Sequence, residues 1–262
     1  MDYILTNQRD HLFEIVLNRP DKRNAIRVQM LQEIAQAVSI AEQTNGVRII
    51  LLRGEGVCFS AGLDLMGMGG MPEALGDNWI QHGNQATRLW QIPIQRLQES
   101  PLPSIALLHS YTLGAGLELA LGCDFRIAAA DVVISLEETR IGLIPDAGGT
   151  TRLTQLIGIA RAKELILTGK RIDAATAEKW GLVNQVVASD DLLSAGEALA
   201  AEILQCAPLA VAAAKRVINA IDPVNGGLHL EMVEQNPLFH SQDVAEGVQA
   251  RLERRDPRWQ GK

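Results

Sequence analysis

Apolar and polar positions in the first fifty residues change period twice. Residues 3–7 and 11–17 read as two short strands around the polar turn Gln8-Arg9-Asp10. Asn18-Arg19-Pro20-Asp21 then breaks the strand pattern. From Ile26 the apolar residues recur at Met30, Ile34, Val38 and Ala41, the stripe of an amphipathic helix that Asn45-Gly46 ends. Residues 47–52 are a nearly continuous aliphatic run, as a strand covered on both faces requires. The unit returns loosely: residues 104–108 predict a second buried strand, 117–121 a short helix and 132–135 a further strand. Strands alternating with helices indicate an α/β core.

The second half changes character. Residues 160–168, 174–180, 192–205, 209–220 and 226–239 all predict helices, and 184–187 is the one good strand candidate there. The apolar faces of so many helices must pack on the core or on a neighbouring chain. No fixed-period repeat suggests a solenoid.

Composition narrows the picture. A chain of 262 residues can form one large domain or two small ones, and its 47% apolar and 21% charged residues are ordinary for a globular protein. The start Met1-Asp2-Tyr3 has no basic or apolar region of a secretory signal, and no apolar run reaches the ~18 residues of a membrane span. Cys58, Cys123 and Cys206 lack metal-ligand or disulfide spacing and read as reduced thiols. The net charge of −7 argues against a nucleic-acid partner, which needs a basic face, but leaves room for a local basic patch on a phosphorylated ligand. These properties predict a cytoplasmic enzyme or binding protein with no membrane partner.

Three segments could carry chemistry. In Cys58-Phe59-Ser60-Ala61-Gly62-Leu63-Asp64-Leu65, small residues at 60–62 let the backbone approach a ligand, or simply make a tight turn. In Leu113-Gly114-Ala115-Gly116-Leu117-Glu118, small residues open a short helix whose unpaired N–H groups suit an anion or a developing oxyanion. The third glycine of a dinucleotide fingerprint is missing, and no Lys-Ser/Thr pair makes a P-loop. Taken alone, Glu118 reads better as a surface helix-terminus carboxylate stabilised by the dipole than as a catalytic group. In Leu136-Glu137-Glu138-Thr139-Arg140-Ile141-Gly142-Leu143-Ile144-Pro145-Asp146-Ala147-Gly148-Gly149-Thr150, acidic residues precede a glycine- and proline-rich turn that opens another helix. A carboxylate at a buried strand end can have a raised pKa and serve as an acid or base.

In this order and spacing the three segments resemble the enoyl-CoA hydratase/isomerase (crotonase) superfamily. The resemblance runs from Asn18-Arg19-Pro20-Asp21-Lys22-Arg23-Asn24-Ala25 to Arg254-Arg255-Asp256-Pro257-Arg258-Trp259, with residues 114–149 the most specific block. It implies an α/β fold: a crotonase-like spiral of ββα units over residues 1–200, then a C-terminal α-helical trimerisation region over 201–262. It also implies a homo-oligomer, trimer or hexamer, acting on an acyl-CoA thioester. The main-chain N–H groups of Leu63 and Ala115 match the family's oxyanion hole, and Glu118 and Glu138 match its two catalytic glutamates. Glu138 is expected to deliver the proton to Cα and Glu118 to activate the water that attacks Cβ. Coenzyme A contacts are expected at Arg23, Ala25, Ala61, Leu63, Asp64, Leu65 and Ala115, with a further nucleotide contact near Lys262. No metal or separate cofactor is implied, because coenzyme A arrives as the substrate's thioester carrier.

Departures from the family pattern carry expectations of their own. Glu137 replaces a frequent proline, which predicts a less rigid loop around Glu138. Asp146 replaces a frequent glycine and adds a third carboxylate, a feature of isomerase-like members. Leu63 is bulkier than the common alanine and Ala115 replaces a frequent glycine, which predicts narrower acyl selectivity. Arg27 is a weak helix cap, and Arg251 stands where an aromatic is frequent. The stretch Met66-Gly67-Met68-Gly69-Gly70-Met71-Pro72 reads as a mobile surface loop or as an adaptable wall of the acyl pocket. The main reading is thus a 2-enoyl-CoA hydratase; the rivals are a double-bond isomerase on the same enolate and a non-catalytic acyl-CoA- or RNA-binding member.

Overall fold

The structure is a computed structural model and describes residues 1–221 and 225–260. It opens with an antiparallel hairpin in which β1 (Ile4–Arg9) pairs with β2 (Leu12–Leu17), from Ile4 opposite Leu17 to Arg9 opposite Leu12. The turn is therefore Asp10-His11, shorter and later than the tripeptide predicted. Asp10 adopts the left-handed conformation, φ 51°, that a two-residue hairpin turn favours. Next come α1 (Val28–Gln43), β3 (Ile49–Gly54), α2 (Met71–Leu75) and α3 (Gly83–Glu99). Helix α1 starts two residues later than its apolar stripe, because Ile26 instead forms a parallel bridge with Leu63.

The middle of the chain supplies β4 (Ser104–Leu108), β5 (Tyr111–Leu113), α4 (Ala115–Leu121), β6 (Phe125–Ala129) and β7 (Val133–Ser135). After it come α5 (Gly149–Ile157), α6 (Ile159–Thr168), β8 (Ile172–Asp173), α7 (Ala174–Trp180) and β9 (Gln185–Val187). The chain closes with α8 (Leu192–Leu204), α9 (Pro208–Ile221), α10 (Asn225–Leu238) and α11 (Gln242–Glu253).

One sheet runs β1-β2-β3-β4-β6-β9, parallel beyond the first pair; a second runs β5-β7-β8. Successive strands β4, β5, β6 and β7 alternate between the two sheets, so the path is a spiral. The bridge between Ser60 and Thr112 adds the segment after β3 to the same winding. Both faces of the large sheet are covered, which explains the unbroken aliphatic runs. Ile50, Leu52, Ala106 and Leu108 face the main core with α1, while Ile49, Leu51, Ile105 and Leu107 pack with Leu192 and Ala200 of α8.

All five helices predicted for the second half are present within two residues of their expected bounds. Six elements were not predicted: α2, α3, β5, β6, the short β8 and α11. In α3 the buried residues Ala86, Trp90, Ile94 and Leu97 do follow a helical stripe, but an internal Pro93 and many polar neighbours mask it. No single helix among the described residues is long and apolar enough to cross a membrane.

Candidate active site

Three chain segments leave the strands on one side of the spiral and meet there. The parallel bridge between Ser60 and Thr112 fixes their relative register, with Leu113 N–H donating to Ser60 O at 3.1 Å. Counting forward three residues on each strand brings Leu63 and Ala115 to matching places. The chains between them touch: a Cβ on Gly62 (φ +91°) would lie 2.8 Å from Leu113 O, and one on Gly114 would lie 3.9 Å from Gly62 Cα. Only glycine allows this approach. The main-chain N–H groups of Leu63 and Ala115 have no acceptor among the described residues, although their neighbours are engaged. Gly62 N–H donates to Ser60 Oγ at 3.2 Å, Asp64 N–H to Ile26 O at 3.0 Å and Gly114 N–H to Ser135 O at 2.9 Å.

Leu63 and Ala115 border one cavity together with Glu118, Glu138 and Asp146. It holds about 460 Å³ of empty space, part of it open to solvent, and its far wall is Met71, Trp79, Trp90 and Phe239. Trp79 and Phe239 meet edge to face with centroids 5.2 Å apart. The sequence reading missed this wall because Trp79 and Trp90 lie in the unpredicted stretch before β4. Of the methionines in the Gly/Met segment, Met66 is exposed, while Met68 and Met71 face the cavity. That segment folds as a 3₁₀ turn (Leu65–Gly70) running into α2, and Met68 and Met71 make it a wall of the pocket rather than a surface loop.

Glu118 points from α4 toward the start of α5. Its Oε1 accepts from Ala147 N–H at 2.8 Å and Gly149 N–H at 2.9 Å. Burial pushes its pKa well above the usual carboxylate range, the charges of Glu138, Asp146 and Glu231 push the same way, and the Gly149 bond opposes them. Glu138 lies in the 3₁₀ turn after β7, and its Oε2 is buried with no hydrogen-bond partner among the described residues. Burial raises its pKa to about 8, with the charge of Asp146 adding to the shift. Asp146 is half-buried and accepts from Thr87 Oγ1 at 2.6 Å, yet burial pushes it up to about 7.

These shifts make a stability prediction. A carboxyl whose folded pKa exceeds its unfolded value stabilises the fold fully below the unfolded value and loses that contribution as pH rises through the folded one. For Glu138 the window runs from the ordinary 4.5 up to about 8. Glu138→Gln, which cannot ionise, should therefore gain thermal stability relative to the unaltered protein between about pH 5 and about pH 9. Melting curves at the two pH values check it; a constant difference contradicts it.

Glu137 does not leave the loop loose. Its carboxylate receives Ser135 Oγ at 3.1 Å, Arg171 and, at 2.8 Å, Arg251 of α11. The two departures at 137 and 251 thus answer each other: an ion pair ties α11 to the loop that a proline would stiffen. Arg27 gives α1 no side-chain cap, and its guanidinium pairs with Glu73 of α2.

The residues expected around coenzyme A converge in part. Ala61 N–H donates to Arg23 O at 2.9 Å, which lays the 23–25 loop against the 61–65 loop. Ala61, Leu63 and Leu65 border a second cavity beside the first, with Gly114, Arg140 and Arg251 on its wall. Arg23 is exposed, Ala25 is half-buried, and both border neither cavity. The Asp64 carboxylate pairs with Arg19 at 3.0 Å and also borders neither. Lys262 lies outside the described residues. Among those residues, no three His, Cys, Asp or Glu side chains group so as to hold a metal ion.

Comparison with known proteins adds an independent line. The family model described as enoyl-CoA hydratase/isomerase matches residues 7–262. An enoyl-CoA isomerase/hydratase of Mycosarcoma maydis is 37% identical over 262 residues, covering 96% of this chain and 93% of that protein. A mitochondrial Δ(3,5)-Δ(2,4)-dienoyl-CoA isomerase of Dictyostelium discoideum is 32% identical, covering 97% of this chain and 90% of its own. Among solved structures, a carnitinyl-CoA hydratase from Mycobacterium avium superposes with a TM-score of 0.86 at 30% identity over 100% of both chains. With this fold and this match, the chain belongs to the enoyl-CoA hydratase/isomerase family.

Proposed function

We propose that the protein hydrates a 2-enoyl-CoA thioester, adding water across the Cα–Cβ bond by way of an enolate. One observation carries the reading: two main-chain N–H groups without acceptors among the described residues and two buried carboxylates border a single cavity. The thioester oxygen sits between the amides of Leu63 and Ala115. As water bonds to Cβ, the π electrons of the double bond move onto that oxygen, and the preorganised donors stabilise the charge. Glu118, which already accepts two N–H bonds, takes the proton that the attacking water loses. Glu138, with its raised pKa and unpaired Oε2, gives a proton to Cα as the enolate collapses. The apolar far wall takes the acyl chain. Coenzyme A, as the substrate's carrier, runs past Ala61, Leu63, Asp64 and Leu65, with Arg23, Ala25 and Ala115 close by, and the reaction calls for no further cofactor.

A second reading has a specific observation behind it. Asp146, on the same cavity with a pKa raised to about 7, is a third group able to hold a proton. Proton movement along a longer unsaturated chain would make the protein a double-bond isomerase. Loss of enoyl-thioester absorbance from a short 2-enoyl-CoA supports hydration; turnover of 3-enoyl substrates alone supports isomerisation. Tight acyl-CoA binding without turnover of either would revive a non-catalytic member. Asp146→Ala separates the activities: isomerisation should fall by on the order of 10²-fold while hydration holds.

The oligomeric reading, with residues 201–262 as the assembly region, rests on exposed apolar side chains. Leu209, Val217 and Ile218 of α9 and Leu230 and Val233 of α10 are 84%, 58%, 64%, 59% and 45% exposed. A second copy is the covering partner we propose for them, checked by light scattering. A cytoplasmic location fits the three free thiols at Cys58, Cys123 and Cys206.

A further inference from the structure

Helix α5 begins without a cap of its own. Its N-cap, Gly148, has φ +99°, and a Cβ there would lie 1.6 Å from Arg152 Nη1. The position that ordinarily carries a capping Ser, Thr, Asp or Asn therefore has no room for a side chain. The cap comes from α10 instead. Glu231, 3% exposed, accepts Gly148 N–H on Oε2 at 2.7 Å. Its Oε1 accepts both the N–H and the hydroxyl of Thr151, each at 2.7 Å.

The same turn serves Glu118. Ala147 and Gly149 N–H groups go to Glu118 and those of Gly148 and Thr151 to Glu231, so two carboxylates from distant elements interleave on one helix start. Arg152 secures the turn from the other side, donating to Ala147 O at 2.9 Å. The Gly149 N–H shares one rigid peptide plane with the Gly148 carbonyl, so a reorientation of Gly148 is felt directly at an amide that Glu118 accepts from. The site's own demand for small residues adds to this: a Cβ on Gly149 would lie 2.7 Å from Glu118 Oε1.

We infer that Glu231 is a positioning residue for the reaction: from α10 it fixes the 147–149 turn and, through it, the carboxylate of Glu118. The catalytic consequence rests on the function proposed above; the positioning itself does not. In Glu231→Gln the new NH₂ must face Gly148 N–H or the Thr151 pair, donor against donor, so one bond is lost and the turn relaxes. Glu118 then loses its alignment, while Leu63 and Ala115 keep theirs.

Two measurements test this. In steady-state kinetics with a short 2-enoyl-CoA, Glu231→Gln should lower kcat on the order of tenfold to a hundredfold with KM nearly constant. The double variant Glu118→Gln/Glu231→Gln should be no slower than Glu118→Gln alone, since Glu231 acts through Glu118. General damage to the fold would instead multiply the two losses. Amide hydrogen exchange needs no turnover: protection at Ala147 and Gly149 should drop in Glu231→Gln while α1 keeps its own. Thr151→Val, which keeps the N–H and removes only the hydroxyl, should show the same changes in smaller measure and serves if Glu231→Gln does not fold. Multiplicative losses, or unchanged protection at 147 and 149, overturn the inference. A protein inactive on every enoyl thioester, with protection lost as expected, overturns the proposed function and leaves the positioning intact.

Discussion

Replacing Glu138 with Gln should lower kcat for a short 2-enoyl-CoA by on the order of 10²–10⁴ and leave KM almost unchanged. The substitution keeps the shape of the side chain and removes the proton it delivers. Binding energy comes from the amides at 63 and 115 and from the apolar wall, none of which the change touches. The loss therefore lies in the transition state. The pH profile follows from the same group. With a pKa of about 8, Glu138 is mostly protonated at neutral pH, so the rate of hydration should fall as pH rises through that value. In Glu138→Gln that limb should vanish along with the activity. A raised KM with kcat intact would contradict the role assigned to Glu138.

The variant also separates function from stability. Burying two carboxyls and a third close by, with Oε2 of Glu138 unpaired, costs the fold free energy that the site retains for chemistry. The same substitution that removes catalysis should thus stabilise the protein at alkaline pH. Loss of activity by unfolding would show the opposite sign, so the melting curves guard the kinetic interpretation.

The elements that position the site were largely legible in the sequence. The buried strands at 47–52 and 104–108 announced themselves by aliphatic runs, because both faces of the sheet are covered. The small residues at 60–62 and 114–116 marked a close backbone approach to a ligand and a helix start with open N–H groups. That the two glycine segments also pack on each other, a Cβ on Gly62 meeting Leu113 O at 2.8 Å, emerged only in the structure. What stayed hidden depends on contacts between distant segments. The turn Gly148-Gly149 opens a helix with no visible cap, and nothing nearby in sequence says that Glu231 provides it. A signal did exist: Leu228, Glu231, Gln235 and Phe239 share one face of a predicted helix, and two polar residues among apolar ones on a buried face need partners. Gln235 found one in the N–H of Ile144, at 3.0 Å. Helix α3, with Trp90 in the pocket wall, was hidden by Pro93 and by a polar outer face. The ion pair between Glu137 and Arg251 was visible only as two separate oddities, since the two stand 114 positions apart in the sequence.

Gly114→Ala should be nearly as damaging as the loss of Glu138, by a different route. The residue adopts φ 49° and ψ −127°, a conformation unfavourable for any residue with a Cβ. The added methyl would lie 2.7 Å from Glu138 Oε1, closer than such contacts tolerate. Either the Glu138 side chain moves or the backbone at 114 rotates. Rotation turns the following peptide, and with it the N–H of Ala115, away from the thioester oxygen. Removing one preorganised oxyanion donor costs roughly 10²–10³ in rate, and displacing the acid as well pushes the loss toward the upper end. Because the amide also holds the ground-state carbonyl, KM should rise along with the fall in kcat, unlike the pattern for Glu138→Gln. Thermal stability should drop too, since the strained backbone has no compensating gain. Gly46→Ala is the control: it also has positive φ, 85°, but open space around it, so it should lose some stability and keep full activity. If Gly114→Ala turned over substrate at the rate of the Gly46 control, the close pairing of the 62 and 114 loops would have no part in holding the enolate, and the proposed oxyanion site would have to lie elsewhere.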